Sequence, residues 1–224
     1  NADTRKAECG PVDYSFVENL DKSVLFHLTG GEPFLVPNLS DLCNTLESKG
    51  QHISMNTNLT LPVSQFVKEV RPDRFLFINA SVHYPYRKLH MEPFMRHYRQ
   101  LREAGFFVYA TVVMVPNDFE CIADFIRQYQ GQGLILLPKL MRGVERGQRY
   151  PDAYSNEQND IMKELVASSI ENMSPDDREK FRIACENNVS IDNWWEAGSR
   201  ALGGTRCFDG ARYIRITEAG DIIY

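Results

Sequence analysis

The sequence predicts an α/β fold made of repeated strand–helix units, and three observations carry that expectation. Five short apolar segments, 24–29, 52–56, 75–82, 107–115 and 133–137, are separated by stretches with helical periodicity. Their starts fall roughly 23 to 32 residues apart, which leaves room for one strand, one helix and two connections. Most of these segments are apolar on both sides, as in a parallel sheet covered by helices. Right-handed units of this kind close either as an open doubly wound sheet or as a curved barrel.

In 24–29, His27 shares a direction with Leu25 and Thr29 and reads as a satisfied interior histidine. Leu39, Leu42, Cys43 and Leu46 fall at i, i+3, i+4 and i+7, with Asn38 as N-cap. Phe94, Tyr98 and Leu101 share one face of a later helix, which ends near Gly105. Ile122, Phe125, Ile126 and Tyr129 repeat the pattern after Asp118, a second N-cap. Cys43 and Cys121 are placed in the core with these helix faces, and Met114 and Met141 read as packing. Beyond Gly143 the character changes. Residues 144–156 are polar, and the basic stretch from Lys139 to Arg149 reads as a solvated loop. Helices are expected at 157–171 and 175–187, capped by Ser155 with Gln158 and by Ser174 with Asp177, with Pro175 at the first helical position. Trp194 and Trp195 read as an anchor for these helices. The segment from Tyr213 to Tyr224, with Gly220 in its turn, reads as a β-hairpin.

Composition bounds the function. The chain has 224 residues and a mass of 25.8 kDa, one domain or one domain with an appendage. With 43% hydrophobic and 25% charged residues it can bury a core. A net charge of −5 and a pI of about 5.6 argue against nucleic acid as the main partner. The longest apolar run, 106–115, is half the roughly 20 residues a membrane-spanning helix needs. Residues 1–10 are polar, without the apolar core of a signal peptide. Five scattered cysteines without a CxxC pair fit a reducing compartment, so the expected location is cytoplasmic.

The informative stretch is Leu28-Thr29-Gly30-Gly31-Glu32-Pro33, at the C-terminal end of the first apolar segment. Paired glycines let the backbone turn sharply and approach a ligand, and ligands of parallel α/β folds bind beyond the C-terminal ends of strands. A carboxylate there can receive an ammonium group. Spacing alone fits a plain strand-to-helix turn equally well.

This segment resembles the GGE motif, often TGGEP, of the radical S-adenosylmethionine (SAM) superfamily. The resemblance covers roughly residues 1–143 and includes Asn56-Thr57-Asn58 at the end of the next strand and Ser81 near the end of the following one. It implies a partial (β/α)6 TIM-like barrel, here without its first strand. It also implies reductive cleavage of SAM by a [4Fe–4S] cluster, giving a 5′-deoxyadenosyl radical for hydrogen abstraction. Carried over, Gly30, Gly31 and Glu32 hold the methionine amino group, Ser81 contacts the ribose, and Asn58 and Asn117 are further SAM contacts. Arg87 is a partner for the SAM carboxylate, and His83 faces substrate. Lys139 and Arg142 are weaker candidates for the same roles. The family's CxxxCxxC motif is absent, and Cys9 alone does not replace it; the resemblance then implies that the sequence begins just after the last cluster cysteine. Cys207, twelve residues and then Gly220 resemble the opening of a SPASM or twitch domain, which makes Cys207 a candidate ligand of an auxiliary iron–sulfur cluster. The domains expected are a barrel at 1–143, a helical extension at 144–200 and the start of a SPASM/twitch-like hairpin at 201–224. Implied partners are a peptide, protein or small-molecule substrate and an electron donor such as flavodoxin or ferredoxin, with no nucleic acid and no membrane. Two other functions fit the residues: a cluster-less module that binds a SAM-like ligand or a protein, and an unrelated barrel enzyme with Glu32 and His83 as acid and base.

Overall fold

The computed structural model describes residues 10–19 and 22–187, together with the backbone of two short strands at 215–216 and 222–223. Five strands, β1 (Leu25–Leu28), β2 (His52–Thr57), β3 (Phe75–Val82), β4 (Val108–Val113) and β5 (Leu136–Lys139), form one parallel sheet in the order β1-β2-β3-β4-β5. The helices are α1 (Leu39–Ser48), the short α2 (Phe66–Glu69) and α3 (Tyr84–Arg87), α4 (Met91–Glu103), α5 (Phe119–Gln130), α6 (Asn156–Glu171) and α7 (Pro175–Asn187). The strand order runs one way, without the reversal that defines a doubly wound sheet. An α/β fold with five parallel strands is therefore established, and a partial barrel is compatible with it. No helix among the described residues is long and apolar enough to cross a membrane.

The pleat explains how the layers separate. Alternate residues, such as Ile53 and Met55 on β2 and Ile78 and Ala80 on β3, join the larger core with Leu42 and Leu46 of α1, Phe94 and Leu101 of α4 and Ile122 and Ile126 of α5. The opposite face is covered differently. Phe77, Phe107, Tyr109, Ile135 and Leu137 form a second cluster with Phe181 and Ala184 of α7. Tyr109 and Phe181 meet edge to face at 5.9 Å. A two-pronged ion pair locks α7 in place: Arg102 of α4 donates to both oxygens of Asp177 at 2.8 and 2.7 Å. Burial raises the Asp177 pKa, but the Arg102 bonds and charge and the Ser174 hydroxyl outweigh it and hold the carboxyl below its ordinary range.

Several local expectations need correction. The fifth strand lies at 136–139, not 133–137, because the amides of Gly133 and Leu134 still close the α5 terminus on Gln130 and Tyr129. Neither Asn38 nor Asp118 caps a helix through its side chain. Asn38 instead bonds both the N–H and the C=O of Val12, at 3.0 Å each. Cys43 is buried, and burial pushes its thiol pKa up to about 12. Cys121 is exposed, because α5 buries the stripe of Phe119, Ile122, Ala123 and Ile126 beside it. The supposed loop after Gly143 is an antiparallel hairpin, β6 (Gly143–Glu145) and β7 (Gln148–Tyr150). Its turn residues, Arg146 and Gly147, have φ of 48° and 78°, the left-handed pair of a type I′ turn. Arginine in the slot that Asn or Gly usually takes concealed the turn. The capping box of Ser155 and Gln158 forms as expected. The final strands, β8 (Arg215–Ile216) and β9 (Ile222–Ile223), pair antiparallel.

Candidate functional site

The loop that follows β1 is held by its own acidic residue. Gly30 has a φ of +127°, which requires glycine. A Cβ added at Gly31 would meet nothing within 4 Å, so this residue faces open space. Glu32 is 8% exposed and turns inward. Its carboxylate accepts from the Thr57 hydroxyl at 2.6 Å, the Asn58 N–H at 2.7 Å and the Phe34 N–H at 3.3 Å. Three of about four acceptor positions are thus filled from within the chain. Glu32 bolts the β1 loop to the end of β2.

The bolt continues to α3. Asn58 presents its carbonyl to Arg87 Nη2 at 2.6 Å. Arg87 is 3% exposed, lies 5.0 Å from the Phe94 ring centre and 5.5 Å from that of Tyr86, and also donates to the His90 carbonyl at 3.4 Å. Burial lowers the Arg87 pKa, partly offset by Tyr86 and Glu32. Leu59, with a φ of 50°, is held beside it by His97 Nδ1 at 3.2 Å from its carbonyl. Left-handed φ at a branched, buried residue persists only where surroundings impose it. Glu32, Asn58 and Arg87 therefore come together as expected, but chiefly to hold one another. Arg87 is directed into the loops rather than toward solvent, and the Asn58 side chain accepts from Thr60.

A second feature crosses the sheet on the face that α7 leaves open. Thr111 on β4 donates to Asn79 Oδ1 at 3.1 Å, and Asn79 Nδ2 donates to Asn56 Oδ1 at 3.1 Å. Asn56 Nδ2 donates to His27 Nε2 at 3.0 Å and to Thr29 Oγ1 at 3.4 Å. Since an amide nitrogen only donates, His27 Nε2 accepts and the ring proton sits on Nδ1, directed at Ser54 Oγ 2.7 Å away. His27 is exposed rather than interior, which corrects the sequence reading; partial desolvation still lowers its pKa, in keeping with a neutral ring. This row spans four strands. Half-buried Ser81 lies one step beyond Asn79 and in register with Thr111. Half-buried Lys139 and exposed Val113 border the same end.

The remaining candidates are dispersed. His83 is exposed at the head of α3. Asn117, in the turn Pro116–Asp118, donates to Glu145 on β6 at 2.6 Å. Cys9 and Cys207 lie outside the described residues. Among the described residues no group of three His, Cys, Asp or Glu side chains could hold a metal ion. Two open depressions of about 420 and 440 Å³, one beside α1 and one beside the β6–β7 hairpin, are lined by none of the row's residues.

Sequence reasoning missed Ser54, Asn79 and Thr111. Their signal was present: each interrupts an otherwise apolar strand at alternate positions, together with His27 and Asn56. No family model matches the chain, and no curated protein matches it.

Proposed function

We propose that the chain is the barrel of a radical SAM enzyme, with SAM against the loop after β1 and substrate over the polar row. In this reading the five strands are the second to sixth of a (β/α)6 partial barrel. The supporting observation is the Thr29–Pro33 turn, which ends a strand of a unidirectional parallel sheet with Gly31 turned to open space. A small residue without neighbours of its own suits the close approach of a ligand. The Gly30–Gly31 backbone and the remaining lone pair of Glu32 would receive the SAM ammonium group, and Ser81 would face the ribose. SAM supplies the hydrogen-abstracting chemistry of this family. The protein's own part is to hold the loop rigid through Glu32, Thr57 and Asn58, and to orient uncharged polar groups of a substrate over Asn56 and Thr111, which buried Asn79 holds in place. The sequence holds no CxxxCxxC motif for the [4Fe–4S] cluster of this reading, and Cys207, the candidate auxiliary ligand, falls outside the described residues. An electron donor such as flavodoxin or ferredoxin, and a cytoplasmic setting, belong to the same proposal.

A second reading is a non-catalytic module that binds a SAM-like ligand on the same face, where Glu32 serves chiefly to hold the loop through the Thr57, Asn58 and Phe34 donors. The pairing of Glu32 and His83 as acid and base is weakened because Glu32 is buried and held by three donors while His83 is exposed.

Gly31→Val tests the site. Its side chain would enter open space, so the melting temperature should move by less than about 2 °C. Calorimetric affinity of the full natural protein for SAM should fall at least about tenfold. Unchanged SAM affinity would remove SAM from this loop. The release of 5′-deoxyadenosine after anaerobic reconstitution with iron and sulfide then separates the enzyme from the binding module.

A further inference from the structure

We propose that the β6–β7 hairpin is a docking edge for an extended acidic peptide segment, which adds to it as a third strand. The hairpin follows β5 directly and is fastened at the C-terminal rim of the sheet. Asn117 holds Glu145 there, and the Tyr154 hydroxyl donates to the Met114 carbonyl at 2.5 Å while accepting from the Met141 N–H at 3.0 Å.

Its two faces differ. Gly143 pairs with Tyr150, Val144 with Arg149 and Glu145 with Gln148. Tyr150, 7% exposed, packs on Tyr154 at 4.9 Å, and half-buried Glu145 shares that side. Val144 and Arg149 project from the other side, where Val144 is 68% exposed. Both are exposed among the described residues. Lys139, Arg142, Arg146 and Arg149 outnumber the two carboxylates beside the hairpin, Glu145, which Asn117 holds, and Asp152, which lines a depression with Arg142 and Arg149, in a chain whose net charge is −5. Arg146 occupies a left-handed position, φ 48°, that Asn, Asp or Gly adopt most readily. A long cation at that tip serves no contact within the turn.

The backbone supplies the rest. β6 and β7 form a sheet of two, and the open edge is that of β6, where no described strand pairs the N–H and C=O of Val144; on β7 the Arg149 carbonyl already accepts from the Ala153 N–H at 2.9 Å. Strand addition draws affinity from such an edge and specificity from the alternating side chains. Here those are cations around one valine, which match acidic residues alternating with apolar ones. The same rim carries other apolar groups: of six exposed large hydrophobic side chains among the described residues, Leu35, Tyr86, Leu89, Val113 and Val144 lie beyond or at the C-terminal ends of strands. A peptide on the hairpin would continue over that rim toward the polar row. The outward side of the hairpin carries no aromatic ring for base stacking, which favours peptide over single-stranded RNA. This docking edge does not depend on SAM chemistry.

Fluorescence anisotropy of the full natural protein, without SAM, tests it. The probe is a fluorescein-labelled ten-residue peptide of alternating Glu and Val. Saturable, salt-weakened binding is expected, with Kd rising at least about tenfold in R146E/R149E. Arg146→Gly suits the turn better and should hold or raise the melting temperature while weakening binding about threefold; it gives the answer should the double variant fail to fold. Absence of binding, equal affinity for the peptide with Lys in place of Glu, or tighter binding of a ten-nucleotide oligouridylate would overturn the proposal. So would wild-type affinity in folded variants. A peptide with Pro at alternate positions lacks the N–H groups for pairing, and its equal binding would overturn strand addition.

Discussion

On β3, Ile78, Ala80 and Val82 point to one side of the sheet and Phe77, Asn79 and Ser81 to the other. The first side is apolar along its whole length and covered by α1, α4 and α5. The second divides along the strand: its N-terminal half is apolar under α7, and its C-terminal half carries the row from Thr111 to His27. A parallel sheet needs both faces covered for stability. Here one face does this fully and the other only in part, which frees four strands to present hydrogen-bonding groups at the end where α/β proteins bind ligands. Apolar packing and side-chain hydrogen bonding are thus separated by pleat and by position along the strand.

The two faces of β3 should differ most in what they contribute to stability. Ile78 is fully buried, and Ile78→Ala should cost about 3–4 kcal/mol in urea unfolding through lost burial and a cavity. Ser81→Ala on the opposite side should cost less than about 1 kcal/mol. Equal losses would mean that the two faces bear load alike.

The next largest effect concerns the lock on α7. Arg102→Ala leaves the Asp177 carboxylate without its partner and should cost about 2 kcal/mol, less than for a fully buried pair because the Arg102 side chain keeps 28% exposure. The Asp177 pKa is depressed on folding. Its stabilisation is therefore complete above the unfolded value near 4 and is lost as pH falls through the lower folded value. Asp177→Asn should flatten the acid limb of the stability curve below about pH 4. An acid limb identical to wild type would assign that loss to other carboxylates.

The smallest effect belongs to the row. The His27 pKa is lowered in the fold, so the unfolded chain binds the proton more readily. The contribution of His27 is present above the unfolded value near 6.5 and disappears as pH falls toward and through the folded one. His27→Gln should remove that slope with little change at pH 8. An NMR titration placing the ring at or above pH 6.5 would contradict the neutral assignment.

Much of the fold was legible because its signals are local. Leu39, Leu42, Cys43 and Leu46 mark a helix through spacing alone, and the same residues are buried on α1. Ser155 and Gln158 announce a cap within four residues. Cys121 misled because an apolar stripe is narrower than the list of apolar residues near it. The β6–β7 hairpin was hidden by Arg146, whose left-handed backbone contradicts its residue type.

The local record reached the number of strand–helix units, the faces of α1, α4 and α5, and the glycine turn at Gly30. It did not reach strand order, the path of α7 across the open face, or the partners of Glu32. Glu32 and Asn58 are 26 residues apart, Asn56 and His27 are 29, and Thr111 and Asn79 are 32. A side chain's periodicity says which way it points; only the parallel register of neighbouring strands decides what it meets there.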